Sequence, residues 1–109
     1  TLAESCFSQQ VARESHRFLG ATVDLSACAA GARLDGLLFG ETQNRVVISV
    51  AAIDAGLVLK QVRTMGVPVF QIGTVGGETL ALKTPAAEFS APVAELHDGW
   101  WNSIARAMA

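Results

Sequence analysis

The stretch Leu37-Leu38-Phe39-Gly40-Glu41-Thr42-Gln43-Asn44-Arg45-Val46-Val47-Ile48-Ser49-Val50 decides how the chain is read. A short apolar run ends at Gly40, five polar residues follow, and Val46 opens a run rich in β-branched side chains. Such side chains suit a pleated surface with buried neighbours. Residues 45–52 are therefore expected to form the clearest strand of the molecule. The polar cluster before them falls where that strand begins, at the rim of a sheet. Loops carried on a rigid scaffold are where binding and catalysis tend to be placed.

Upstream of this stretch, Leu2, Ala3, Cys6, Phe7 and Gln10 recur at helical spacing, with Val11 and Phe18 further on and Arg13, Glu14 and Arg17 on a solvated face. This predicts a helix over 2–19, stopped by Gly20. Residues 21–25 alternate as a short strand, and 26–35, rich in Ala and Gly, read as a loop with room for a helical turn. Downstream, Asp54 is placed to cap a helix over 55–65 whose Leu57, Val58, Val62 and Met65 face inward, and Gly66 and Pro68 end it. Residues 67–75 read as a strand. Gly76-Gly77 offers the positive φ values of a tight hairpin, and 79–83 return as its second strand. Residues 85–92 read as an extended connection. Leu96, Trp100, Ile104 and Met108 fall at successive i+4 positions, which predicts an amphipathic helix over 93–108. Interleaved helices and strands make the fold class α+β, a mixed β-sheet with helices packed on it.

One domain over 1–109 is what 109 residues allow. Half of the residues are hydrophobic and 17% are charged, an apolar balance that points to surface meant for a neighbour. The net charge of −2 comes with no basic run, which argues against a nucleic-acid partner. No apolar stretch approaches the ~20 residues of a membrane helix, and no leader pattern opens the chain, so a cytoplasmic location is expected. Cys6 and Cys28 form no disulfide framework. Cys6 lies on the apolar face of its helix, which favours a core role over a reactive thiol. His16 and His97 lack partners at metal-binding spacing and read as surface or cap residues. Gly20, Gly31 and Gly36 make no phosphate-loop pattern. Trp100 is assigned to the core stripe, and Trp101 to its edge or to a domain contact.

Several of these segments, taken together, resemble one family. The run from Leu37 to Val47, Gly66-Val67-Pro68, Ile72-Gly73-Thr74-Val75-Gly76-Gly77, Leu2-Ala3-Glu4-Ser5-Cys6, Gly20-Ala21-Thr22-Val23-Asp24-Leu25 and the Trp-bearing last helix match, in order, the C-terminal domain of phosphoribosylformylglycinamidine synthase subunit II. That domain belongs to the aminoimidazole ribonucleotide synthase-related superfamily. Thr42 stands where the family usually has Ser, so a hydroxyl is kept. The resemblance implies an ATP- and Mg2+-dependent enzyme of purine biosynthesis. In it the amide oxygen of formylglycinamide ribonucleotide is activated by phosphorylation, and glutamine-derived ammonia displaces the phosphate to give the amidine.

The resemblance further implies a piece of that enzyme. The chain starts inside a helix, whereas in the family a glycine-rich turn and a strand come just before it. A domain truncated at its N-terminus is expected, with ATP, magnesium and the catalytic groups held mainly by missing domains and no cofactor required by the fragment itself. Alone, the fragment is expected to be inactive. Expected partners are the ATP-binding domain of the parent chain, and the glutaminase subunit and small accessory subunit of the complex, the glutaminase being on a separate chain. No membrane partner is expected. Exposed sheet edge and apolar surface predict self-association of the fragment. No catalytic or metal-binding residue is assigned. Glu41, Thr42, Gln43 and Arg45 are the candidate substrate- or nucleotide-binding residues, with hydrogen bonds from Thr42 and Gln43 and a charge for phosphate from Arg45. The plainer reading of the same loop is a turn that forms local hydrogen bonds. Two alternatives stand beside this family. One is the corresponding domain of aminoimidazole ribonucleotide synthase, selenophosphate synthetase, thiamine-monophosphate kinase or a hydrogenase maturation protein. The other is a free-standing regulatory module that binds a small metabolite.

Overall fold

The computed structural model describes residues 1–7, 18–41 and 43–109. The elements run α1 (Leu2–Phe7), β1 (Ala21–Asp24), a 3-10 turn (Ser26–Cys28), α2 (Leu34–Phe39), α3 (Ala55–Thr64), β2 (Gly73–Val75), β3 (Thr79–Lys83), β4 (Glu88–Pro92), α4 (Val93–Trp101) and α5 (Ser103–Ala107). The α+β class holds. The four described strands form one mixed sheet in the order β2-β1-β3-β4, with β1 antiparallel to β2 and parallel to β3, and β3 antiparallel to β4.

Alternation builds the core. In β1, Ala21 and Val23 point inward and Thr22 and Asp24 outward. Leu80 and Leu82 of β3 stand opposite Ala21 and Val23 in register and face the same way. Onto this face pack Cys6 and Phe7 of α1, Leu25, and Val93 at the start of α4, which is fully buried. The Val93 amide donates to the Glu78 carbonyl at 2.9 Å, which ties the start of α4 to the start of β3.

The expected Gly76-Gly77 hairpin is not formed. β2 and β3 do not pair with each other, because β1 lies between them and pairs with both. The Gly-Gly turn instead passes over the start of β1: the Gly20 amide donates to the Gly77 carbonyl and the Gly76 amide to the Gly20 carbonyl, each at 2.8 Å. Both glycines use positive φ, 156° at Gly76 and 73° at Gly77, and so supply the conformational freedom the sequence pointed to, in a different turn. The hairpin that does form is β3–β4, within the stretch expected to be only a connection. Its turn is closed by buried Thr84, whose hydroxyl donates to the Ala87 carbonyl at 2.8 Å and accepts from the Ala87 amide at 3.0 Å.

Other expectations are also corrected. Residues 45–52 form no strand, and Val46 is 83% exposed. A strand needs a ladder partner for its backbone groups, and propensity alone does not supply one. The strand expected over 67–75 shrinks to Gly73–Val75 for the same reason. The apolar run before Gly40 is helical, as α2. α3 forms as expected, but Asp54 makes no side-chain cap, and Leu57 and Met65 are exposed instead of inward. The last helix breaks at Asn102 into α4 and α5, so Ile104 and Met108 leave the apolar stripe and lie exposed. Of the helix expected over 2–19, residues 2–7 are helical, and 8–17 lie outside the described residues.

Candidate functional site

α2 ends at Gly40, whose amide donates to the Gly36 carbonyl at 3.0 Å. The chain then turns through the candidate residues. Asn44 takes φ of 67°, a left-handed conformation that Asn tolerates better than most residues. Glu41, Gln43 and Arg45 are all exposed, and Thr42 lies outside the described residues. The three described candidates are brought together by sequence and by one turn, and all three stand open to solvent. They sit after a helix instead of at the rim of the sheet, because the strand expected to follow does not form. As placed, the turn offers one carboxylate, one carboxamide and one guanidinium to solvent.

An open cleft of about 220 Å³ lies between the 3-10 turn, α2 and the β3–β4 hairpin, lined by Ser26, Ala29, Gly31, Leu37, Thr84 and Pro85 among others, and by none of the candidate residues. Its walls are small and uncharged, and it falls below the ~300 Å³ at which small-molecule sites begin. Among the described residues no three His, Cys, Asp or Glu side chains converge as a metal site.

One cluster escaped the sequence reading. His97, expected at the surface or as a cap, lies among aromatic rings. Its imidazole is near-parallel to Trp101 at 5.9 Å between centroids, tilted against Phe18 at 4.9 Å and edge-on to Phe7 at 5.5 Å. Trp100 meets Phe7 at 5.4 Å while staying about half exposed, so it borders the core instead of filling it. The signal was present: His97, Trp100 and Trp101 stand at i, i+3 and i+4, a spacing that brings side chains together on a helix.

The ionisable groups with a clear shift serve local structure. Burial pushes the Cys6 thiol up, which keeps it protonated and fits its core role. Asp24 is held below the ordinary carboxylate value by the hydroxyl and amide of Ser26, with a smaller contribution from Lys83. Asp98 is lowered by its hydrogen bond from Arg106 first and from Asn102 second.

Fold and loop together define a small mixed-sheet α+β domain that carries a solvent-facing polar turn and an apolar flank beside it. No family model matches the chain. Its similarity nevertheless runs along nearly its whole length to one segment of a single enzyme subunit, phosphoribosylformylglycinamidine synthase subunit PurL. It is 33% identical over 105 residues to that subunit from Anaeromyxobacter sp., and 37% identical over 103 residues to that from Thermomicrobium roseum, covering 94% of this chain each time. The subunit from Methanosarcina acetivorans is 37% identical over 93 residues, or 84% of the chain. The resemblance drawn from the motifs is thereby borne out. The chain spans 13% of the length of the first two relatives and 12% of the third. No helix among the described residues is long and apolar enough to cross a membrane.

Proposed function

We propose that this chain acts as the C-terminal domain of an ATP-dependent phosphoribosylformylglycinamidine synthase, the enzyme that makes the amidine of purine biosynthesis with glutamine-derived ammonia. The observation that carries this reading is the alignment of 94% of the chain with one segment of PurL. In this reading ATP and Mg2+ are bound by other parts of the synthase, where phosphoryl transfer activates the substrate amide. The domain here walls one side of the nucleotide cleft, packs against the ATP-binding domain, and belongs to a cytoplasmic complex with a glutaminase and a small accessory subunit.

Within that role the turn after α2 is the ligand-facing element. Thr42 and Gln43 offer hydrogen bonds and Arg45 a charge for a phosphate, while Glu41 opposes an anion unless a metal or Arg45 offsets it. The test is a chimera in which this chain replaces the matching segment of a PurL relative, assayed for ammonia-dependent amidine formation. Activity in the chimera, together with inactivity of the 109 residues alone, is the expected result. A soluble, folded chimera without activity counts against the reading. Arg45→Ala in an active chimera is expected to raise KM for the ribonucleotide about tenfold, the loss of one charge-assisted hydrogen bond.

A further inference from the structure

The chain holds two Asp-Gly pairs, Asp35-Gly36 and Asp98-Gly99, and the fold treats them differently. Asp35 stands in the first turn of α2, where backbone amides have no helical acceptor. The ladder of α2 opens at the Leu37 amide, which donates to the Arg33 carbonyl at 2.9 Å. The Gly36 amide donates instead to Oδ1 of Asp35, at 2.9 Å. The amide nitrogen and the carboxyl carbon of this pair, which close a five-membered ring when they bond, are thereby held side by side. The Arg33 guanidinium donates to Oδ2 at 3.0 Å and fixes the side chain in that position. The Asp35 side chain is 65% exposed, so water reaches it. Nothing would lie within 4 Å of a Cβ at Gly36, so the approach to the nitrogen is open. The second pair is held apart. Gly99 lies beyond the first turn of α4, where amides serve the helix ladder. Both Asp98 oxygens are taken, Oδ1 by Asn102 at 2.6 Å and Oδ2 by Arg106.

The geometry points to Asp35-Gly36 as a site of spontaneous covalent modification, at which Asp35 becomes isoaspartate through a cyclic imide. The Gly36 nitrogen attacks Cγ of the protonated Asp35 carboxyl. The N–Cγ bond forms, the Cγ–O bond breaks, and the hydroxyl leaves with the amide proton as one water. Water then opens the imide. Addition at Cγ restores aspartate. Addition at the former main-chain carbonyl leaves the backbone running through the β-carbon, with a free α-carboxylate. Water is the sole co-reactant. Glycine favours closure because no side chain crowds its nitrogen. The product carries one extra methylene in the backbone, inside the span of the Leu37–Arg33 hydrogen bond. The first turn of α2 is lost, and the turn that follows Gly40 shifts with it.

The test is to age the folded 109-residue chain at neutral pH and sequence its tryptic peptides 34–45 and 84–106 by electron-transfer dissociation, which tells isoaspartate from aspartate. A form lighter by one water, then isoaspartate, is expected at Asp35, at least ~tenfold faster than at Asp98. The rate at Asp35 should be no slower than in a synthetic peptide of residues 31–40, because α2 leaves the Gly36 amide available. Gly36→Ala, a change into open space, should keep the far-UV circular dichroism of the chain and slow the reaction at least ~tenfold. Unchanged aspartate at Asp35 overturns the proposal. So do equal rates at the two pairs, which would be chemistry of the unfolded chain. A folded chain slower than the peptide would show that α2 protects the pair, and Gly36→Ala ageing at the unsubstituted rate would show that ring closure at that nitrogen is not the route; either overturns it too.

Discussion

A Cβ at Gly20 would enter the backbone of Thr79, and one at Gly73 would enter that of Thr22. Neither glycine has positive φ, so what each supplies is room for strand β1 between β2 and β3. Gly20→Ala and Gly73→Ala are each expected to cost about 1–3 kcal/mol through overpacking against backbone that has little freedom to move, read as a fall in the urea midpoint. Gly36→Ala, with open space around it and an ordinary helical position, should be neutral or slightly stabilising in the same experiment. Thr84 makes a related case in polar terms. Its hydroxyl both donates to and accepts from Ala87 while the residue is 4% exposed. Thr84→Val keeps the shape but leaves the Ala87 amide without that acceptor, at a cost of about 1–3 kcal/mol. These residues show how much of the fold was legible beforehand. Gly20 read as a helix stop and Gly73 as part of a strand, because their role in close strand approach depends on which strands are neighbours, and sequence order suggested the wrong pairing. The candidate turn was legible as a polar cluster because Glu41, Gln43 and Arg45 interrupt two apolar runs. Whether anything faces it depends on surfaces brought from elsewhere, which local spacing does not encode.

At the scale of elements, α3 and the α4–α5 junction differ in how their ends are held. Asp54 precedes α3 but makes no cap hydrogen bond with its side chain. Asp54→Ala should therefore change stability by less than the ~1 kcal/mol expected of a working N-cap. At the other junction, Asp98 accepts from Asn102 at 2.6 Å and from Arg106, and so staples α4 to α5 across the break. These partners hold the folded carboxyl below its ordinary value. A depressed carboxyl contributes stability that is complete above the ordinary value and is lost as pH falls through the folded one. Far-UV circular dichroism should accordingly show α5 fraying on acidification below the usual carboxylate range. Asp98→Asn should remove that part of the pH dependence. The break itself was hidden in the sequence, because the i+4 stripe through Leu96, Trp100, Ile104 and Met108 is equally compatible with one long helix. Residues 45–52 mislead in the opposite way. Their strand propensity is plain, but a strand is a property of two chains or segments, and only one of them is visible in any window of sequence.

Over the whole molecule, burial is concentrated at one end. The core formed by Phe7, Val23, Leu80, Leu82 and Val93 sits between β1, β3, α1 and α4, while residues 43–54 and α3 contribute none of the buried residues. Molecular extents of 52 × 32 × 24 Å express the same asymmetry. Amide exchange should follow it. The amides of β1 and β3, paired on both sides or packed under α4, should open only with global unfolding, whereas those of 46–50 should exchange almost at the rate of an unfolded chain. Hydrogen-exchange mass spectrometry reads the contrast directly: peptides covering 46–50 should label at the earliest times, and peptides covering β1 and β3 last. Equal protection in the two regions would show that the sheet does not set the order of opening.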